Sequence, residues 1–140
     1  MLSADWFRVK KNKLRRAGTH VLRTVKHRRP RIIVSMTSYP ARINTVHLAI
    51  RSLLAQKVLP DKIVLWLCKS DFPNREADLP QSLRDVLWHD VEVRWVDDDL
   101  KPHKKYFWAL QEFPDDYVIT TDDDLLYRNT ICLLYTSDAA

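Results

Sequence analysis

The sequence predicts an α/β fold with a mostly parallel sheet and helices on both faces. Four short apolar runs rich in β-branched residues predict buried strands, and segments with helical periodicity separate them. Because strands and helices alternate with short connections, neighbouring strands are expected to run parallel. The length of 140 residues limits the chain to one domain.

The first two predicted strands are RIIVSMT at 31–37 and KIVLWLC at 62–68. The third, VEVRWV at 91–96, alternates apolar and polar residues, as a strand near a sheet edge does. The fourth is YVITT at 117–121.

Helices are predicted between these strands. Asn44 is a candidate cap for a helix that ends near Gln56, a short helix is expected near 81–88, and a third spans roughly 103–113. Pro102 suits the first turn of the third helix. Four tryptophans within these elements are interpreted as core residues, namely Trp66, Trp88, Trp95 and Trp108.

Charge divides the chain. Residues 1–31 carry eleven Lys or Arg against one acid, a local charge of +10, whereas the rest has twelve basic and seventeen acidic residues, or −5. We interpret 1–30 as a basic arm before a domain at 31–130. The arm fits either a solvated lead-in or attachment to an anionic surface, with peripheral membrane contact favoured over a specific nucleic acid.

Location follows from what the sequence lacks. No apolar run reaches the roughly 20 residues that span a bilayer, and no apolar signal core opens the chain. Cys68 and Cys132 show no pairing or ligand spacing, so a reducing compartment is expected. These features predict a cytoplasmic protein, with membrane contact at the cytoplasmic face.

The final residues, CLLYTSDAA, resemble the translation of a transposase-type sequencing-library adapter. We therefore interpret 131–140 as an adapter-derived tail and exclude it from fold reasoning. The natural sequence is expected to stop near Thr130 and to be the front part of a longer gene product.

Polar residues follow each predicted strand, and parallel sheets bind ligands beyond the carboxyl ends of their strands. The single glycine, Gly18, lies in the basic arm, which excludes a dinucleotide fingerprint or a glycine-rich phosphate loop. Phosphates in such a site must be neutralised by side chains or a metal ion.

The acidic stretch at 122–124 is the main candidate for a metal site. Asp122 and Asp124 follow a buried strand, and Mg²⁺ or Mn²⁺ commonly binds through one or two carboxylates plus phosphates. A solvated turn is the alternative, because Asp is common where strands end.

A second triplet at 97–99 competes for the metal role, and Asp97 or Asp99 could instead accept hydrogen bonds from a ribose or base. Lys104 and Lys105 follow at a helix start, which favours anions. After the first strand, Arg42 could clamp a phosphate and Tyr39 could stack on a base.

Four motifs in this order, IVSMTSYPARI, SLLAQ, KPHKKY and TTDDDLLY, give residues 31–127 a resemblance to a known family. The chain resembles the nucleotide-binding half of a GT-A-type, Rossmann-like glycosyltransferase, and more narrowly bacterial glycosyltransferase-like proteins encoded with surface-polysaccharide genes. The resemblance implies transfer of a sugar from a nucleoside-diphosphate-sugar donor to a glycan or lipid-linked acceptor, with Mn²⁺ or Mg²⁺. One departure is Lys101, where many relatives have glycine.

The resemblance also assigns roles to residues. Asp124 would ligate the metal with Asp122 beside it, and Lys104 or Lys105 would lie near the diphosphate. The nucleotide pocket would be formed by Thr37, Ser38, Tyr39 and Arg42, with Asp97 or Asp99 at the base or ribose. The catalytic base and acceptor site are expected after Thr130, so no catalytic residue is assigned and the fragment is not expected to turn over substrate.

Two other functions fit the same residues. A nucleotidyltransferase would use the carboxylates with two metal ions and would prefer nucleoside triphosphates. A non-catalytic binding protein would depend on its basic arm and not on the aspartates.

Overall fold

The computed structural model describes residues 29–88, 90–97 and 104–137. Its four strands are β1 (Ile32–Thr37), β2 (Lys62–Cys68), β3 (Val91–Val96) and β4 (Tyr117–Thr120). The second and third have the bounds that the sequence predicts, and the first and fourth are each one residue shorter.

All neighbouring strands pair in parallel, in the order β3-β2-β1-β4. The predicted α/β fold class is therefore confirmed, as is the expected place of β3 at a sheet edge. From β1 the chain proceeds through β2 to β3 at one edge, and β4 returns to the other side of β1. The strand order thus reverses between β1 and β4, which is where open parallel sheets bind ligands.

The helices are α1 (Val46–Leu54), α2 (Gln81–Arg84), α3 (Lys104–Glu112) and α4 (Ile131–Ser137), with a 3-10 turn at Arg75–Asp78. The predicted cap Asn44 is wrong, since Thr45 occupies the cap position without a side-chain hydrogen bond. Instead, a turn that begins at Tyr39 leads directly into α1. In it, the carbonyl of Arg42 accepts hydrogen bonds from the backbone amides of Thr45 and Val46.

The second predicted helix is also corrected. After α2 the backbone continues in single turns, with the amide of Val86 bonded to the carbonyl of Leu83 and that of Leu87 to Arg84. Trp88 therefore lies outside a helix and is 46% exposed, so its interpretation as a core residue is wrong. Trp66, by contrast, is 3% exposed within β2.

Each face of the sheet is covered by helices. Alternate strand residues Val34, Leu65 and Ile119 belong to the larger apolar cluster, beneath Ile50 of α1 and Leu83 of α2. The residues between them face the other way, where Ile33, Val64 and Trp66 pack with Ala109 of α3 and with Phe113, which follows that helix. This period-two alternation is the reason that one short sheet can support a core on both sides.

The helix α4 lies in the segment interpreted as adapter-derived. Its Cys132 is fully buried in the larger cluster, and its backbone amide donates to the side-chain oxygen of Gln56. The origin of this segment stays a prediction. Among the residues that the structure describes, no helix combines the length and apolar character needed to cross a membrane.

Candidate functional site

Polar side chains from two neighbouring strand ends meet where the strand order reverses. Ser38 and Arg42 follow β1, and residues 122–124 follow β4, which pairs directly with β1. Lys105 reaches the same place from the first turn of α3. We call this group, Ser38, Arg42, Lys105 and the three aspartates, the β1–β4 crevice.

Asp123 is the buried member of the crevice, with only 6% of the residue exposed. One carboxylate oxygen accepts a hydrogen bond from the Ser38 hydroxyl at 2.8 Å, and the other accepts from Nη1 of Arg42 at 3.0 Å. A buried carboxylate requires such partners, because desolvation of an unpaired charge is costly. Asp123 therefore joins the loop after β1 to the turn after β4.

Sequence reasoning gave Asp123 no role, although a signal for it was present. The alternation of β4 continues past the end of the strand, with Ile119, Thr121 and Asp123 buried and Thr120, Asp122 and Asp124 exposed. Period-two alternation turns the middle aspartate inward and leaves its neighbours facing solvent.

The two outer aspartates are each paired with a cation. Lys105 Nζ lies 2.7 Å from Oδ1 of Asp122, and Nη1 of Arg42 lies 3.1 Å from Oδ2 of Asp124. The hydrogen bond to Asp123 and the charges of Asp123 and Asp124 raise the pKa of the Arg42 guanidinium. The carboxylates therefore keep this side chain firmly charged.

Tyr127 closes the acidic turn, a second role that the sequence did not predict. The backbone amide of Asp122 donates to the Tyr127 hydroxyl at 2.6 Å. The amide of Tyr127 in turn donates to the hydroxyl of Ser52 on α1 at 3.0 Å. Burial raises the pKa of Tyr127, and the neighbouring carboxylates add to that effect. The neutral phenol thus bonds to the backbone of the turn, and the backbone amide of the same residue holds the turn against α1.

Lys105 is positioned by a buried serine. Ser35 of β1 is fully buried on the face that α3 covers, and its hydroxyl donates to the carbonyl of Lys105. The same oxygen accepts a hydrogen bond of 2.8 Å from the indole of Trp66. The start of α3, and with it the Lys105 side chain, is therefore anchored to the sheet beside Asp122.

Two more predicted residues follow β1. The Thr37 hydroxyl donates to the carbonyl of Trp66 at 3.1 Å, so it is bonded to the neighbouring strand and not to the aspartates. Tyr39 is 45% exposed, and the Arg42 guanidinium lies over its ring at 5.5 Å. Tyr39 thus borders the crevice with an aromatic face.

Asp97 lies at the opposite edge of the sheet. It follows β3, its side chain is 81% exposed, and it pairs with Lys69 at 2.9 Å. Three strand spacings separate β3 from β4, about 14 Å at the usual spacing. Only a ligand that extends along the carboxyl ends of the strands could contact both Asp97 and the crevice. Asp99 and the side chain of Lys104 lie outside the described part of the chain.

The carboxylates suit a metal site in which the substrate supplies some of the ligands, and not one formed by protein side chains alone. Across residues 29–88, 90–97 and 104–137, no three His, Cys, Asp or Glu side chains are grouped to hold a metal ion. Asp123 turns its oxygens inward, which leaves Asp122 and Asp124 facing solvent. Two carboxylates completed by substrate phosphates are a common ligand set for Mg²⁺, so the outer pair supplies ligand atoms of the type that such an ion takes.

Comparison of the chain with protein-family models and with curated proteins finds no match. The interpretation of the crevice therefore depends on its own geometry and charge.

Proposed function

We propose that the β1–β4 crevice binds the diphosphate of a nucleotide sugar together with Mn²⁺ or Mg²⁺. On this proposal the protein is a glycosyltransferase that uses the donor to modify a glycan or lipid-linked acceptor. The observation that carries the proposal is the convergence of two cations and three carboxylates where the strand order reverses. Open α/β sheets bind their ligands at that position.

The side chains of the crevice suit the charges of a diphosphate and a divalent cation. Arg42 and Lys105 supply donors for phosphate oxygens, a planar fork in one case and a flexible point charge in the other. Asp122 and Asp124 supply the protein ligands of the ion, and Tyr39 offers a ring for a base. When bound, the ion neutralises negative charge on the departing nucleoside diphosphate.

Asp123 has a positioning role in this proposal. Both of its carboxylate oxygens are engaged by Ser38 and Arg42, so it is not assigned to the metal. Its contacts hold Arg42 and the loop after β1 beside the turn that carries the outer aspartates.

The basic arm gives the proposal a location. A run of Lys and Arg near an anionic lipid surface gains about 1 kcal/mol per residue. We propose that residues 1–30 hold the protein at the cytoplasmic face of a membrane, near a lipid-linked acceptor. The predicted signature is binding to anionic vesicles that weakens as salt screens the charges.

The decisive experiment is calorimetric titration of UDP into the 140-residue chain with and without Mn²⁺, after far-UV circular dichroism has shown that the chain folds. We expect binding that requires Mn²⁺ and is lost in Asp124→Asn. Asp85→Asn is the matched control, because Asp85 is an exposed carboxylate bonded to Gln81 outside the crevice.

GDP and UTP are titrated in parallel. Binding of UDP that is indifferent to Mn²⁺ contradicts the metal assignment, and tighter binding of UTP than of UDP favours a nucleotidyltransferase. A folded chain that binds none of these nucleotides contradicts the proposed function.

A further inference from the structure

We propose that Arg42 and Lys105 act as internal counter-ions of the metal ligands, so that a divalent cation enters the β1–β4 crevice only together with a nucleoside diphosphate. The inference rests on the proposed function and adds that binding of the metal depends on binding of the nucleotide. Free metal is excluded by the protein's own cations, and the phosphates release the carboxylates by binding those cations.

The ion pairs already occupy the ligand positions. Asp122 is held by Lys105 at 2.7 Å and Asp124 by Arg42 at 3.1 Å. A divalent ion at these carboxylates would lie within a few Å of two positive side chains. The two carboxylate side chains are 53% and 49% exposed, so water screens this repulsion, but metal alone must still compete with both cations for the same carboxylates.

The charge of the crevice favours joint entry. Three carboxylates and two cations leave one negative charge. A divalent ion alone makes that total positive, and a diphosphate alone makes it strongly negative. When both bind, the phosphates pair with Arg42 and Lys105 while the ion pairs with the carboxylates. The total is then far less negative than with a diphosphate alone, so the diphosphate favours entry together with the ion.

The two cations are anchored in a way that permits this exchange. Nη1 of Arg42 contacts Asp123 as well as Asp124, so the buried carboxylate can retain the guanidinium when Asp124 is released. A guanidinium has five N–H donors, which leaves donors available for a phosphate. Lys105 is fixed through its backbone carbonyl by Ser35, whereas its ammonium group is carried on a flexible four-carbon stem.

The exchange implies thermodynamic coupling between metal and nucleotide. Because coupling is reciprocal, UDP must tighten Mn²⁺ binding by the factor by which Mn²⁺ tightens UDP binding. For the wild-type chain we expect that factor to be about tenfold or more, within the usual range for coupled sites. Loss of a counter-ion should tighten the binding of Mn²⁺ alone and weaken the binding of Mn²⁺ together with UDP.

The test measures Mn²⁺ affinity by calorimetry and by the paramagnetic resonance signal of free Mn²⁺, with and without saturating UDP. In Lys105→Gln we expect Mn²⁺ alone to bind several-fold more tightly, while the Mn²⁺–UDP pair binds more weakly. Lys105→Arg keeps the charge and should retain the coupling. Lys62→Gln is the matched control, since Lys62 pairs with Glu92 at 3.0 Å at the other end of β2.

The outcomes separate the inference from the function. Binding of Mn²⁺–UDP with unchanged coupling in Lys105→Gln, or weaker binding of Mn²⁺ alone in that variant, overturns the inference and leaves the proposed function standing. Absence of UDP binding by the folded wild-type chain at every Mn²⁺ concentration overturns the proposed function and the inference with it. Circular dichroism of each variant confirms that the comparison is made between folded chains.

Discussion

Ser38 and Asp123, 85 positions apart in the chain, are joined inside the protein by a hydrogen bond of 2.8 Å. The two residues follow adjacent parallel strands, and both are almost fully buried. This contact holds the loop after β1 against the acidic turn after β4. The crevice is therefore shaped by a buried contact beneath the aspartates that face solvent.

We expect Asp123→Ala to lower the free energy of unfolding by about 1–3 kcal/mol, because it leaves the buried Ser38 hydroxyl without its acceptor and Arg42 with one carboxylate fewer. Urea unfolding followed by circular dichroism measures the change. Asp122→Ala is the control, since an exposed ion pair such as that with Lys105 contributes only about 0–1 kcal/mol. Equal losses for the two variants would contradict the assignment of Asp123 as the structural member of the triplet.

The Trp66–Ser35 hydrogen bond yields a second prediction. Ser35→Ala leaves the Trp66 indole N–H buried without its acceptor, so we expect a loss of about 1–3 kcal/mol. Trp66→Phe removes the donor as well, and the double variant should lose less than the sum of the two single changes. Additive losses in chemical denaturation would show that the two residues do not interact.

Acid should destabilise the protein through Glu92. Burial raises the pKa of this carboxyl, but hydrogen bonds from Lys62 and Arg94 outweigh burial and hold the pKa below its ordinary value of 4.5. A depressed folded-state pKa contributes stability that is present above about pH 4.5 and is lost as pH falls through the folded-state value.

In Glu92→Gln we therefore expect a shallower decline of the free energy of unfolding between neutral pH and pH 3 than in the wild type. The comparison is made by urea titration at several pH values. Parallel pH profiles for the two proteins would exclude Glu92 as a source of acid sensitivity.

Removal of residues 131–140 tests the contribution of α4 to stability. The helix inserts Cys132 into the larger apolar cluster, and removal of apolar surface from water contributes roughly 25 cal/mol per Å². We expect the chain that ends at Thr130 to unfold at a lower temperature than the 140-residue chain. Equal unfolding temperatures would mean that the segment interpreted as adapter-derived adds nothing to the fold.

The apolar pattern of the sequence was sufficient to predict all four strands and the α/β class. A few consecutive apolar residues are enough to predict a buried strand. KIVLWLC is an example, and its predicted bounds match β2. Local signals at element ends were weaker. Asn44 is a good cap by residue type, yet the turn that begins at Tyr39 moves the helix start to Val46.

The sequence by itself determined that polar residues would follow the strands, because it places Ser38, Asp97 and residues 122–124 directly after apolar runs. Only the tertiary structure decided which of them meet. Pairing of β4 with β1 brings the aspartates to Ser38 and Arg42, and it leaves Asp97 beside Lys69 at the far edge. Strand order depends on contacts between residues 28 to 85 positions apart. A local pattern cannot encode such pairings, since their free energy comes from the assembled sheet and its two cores.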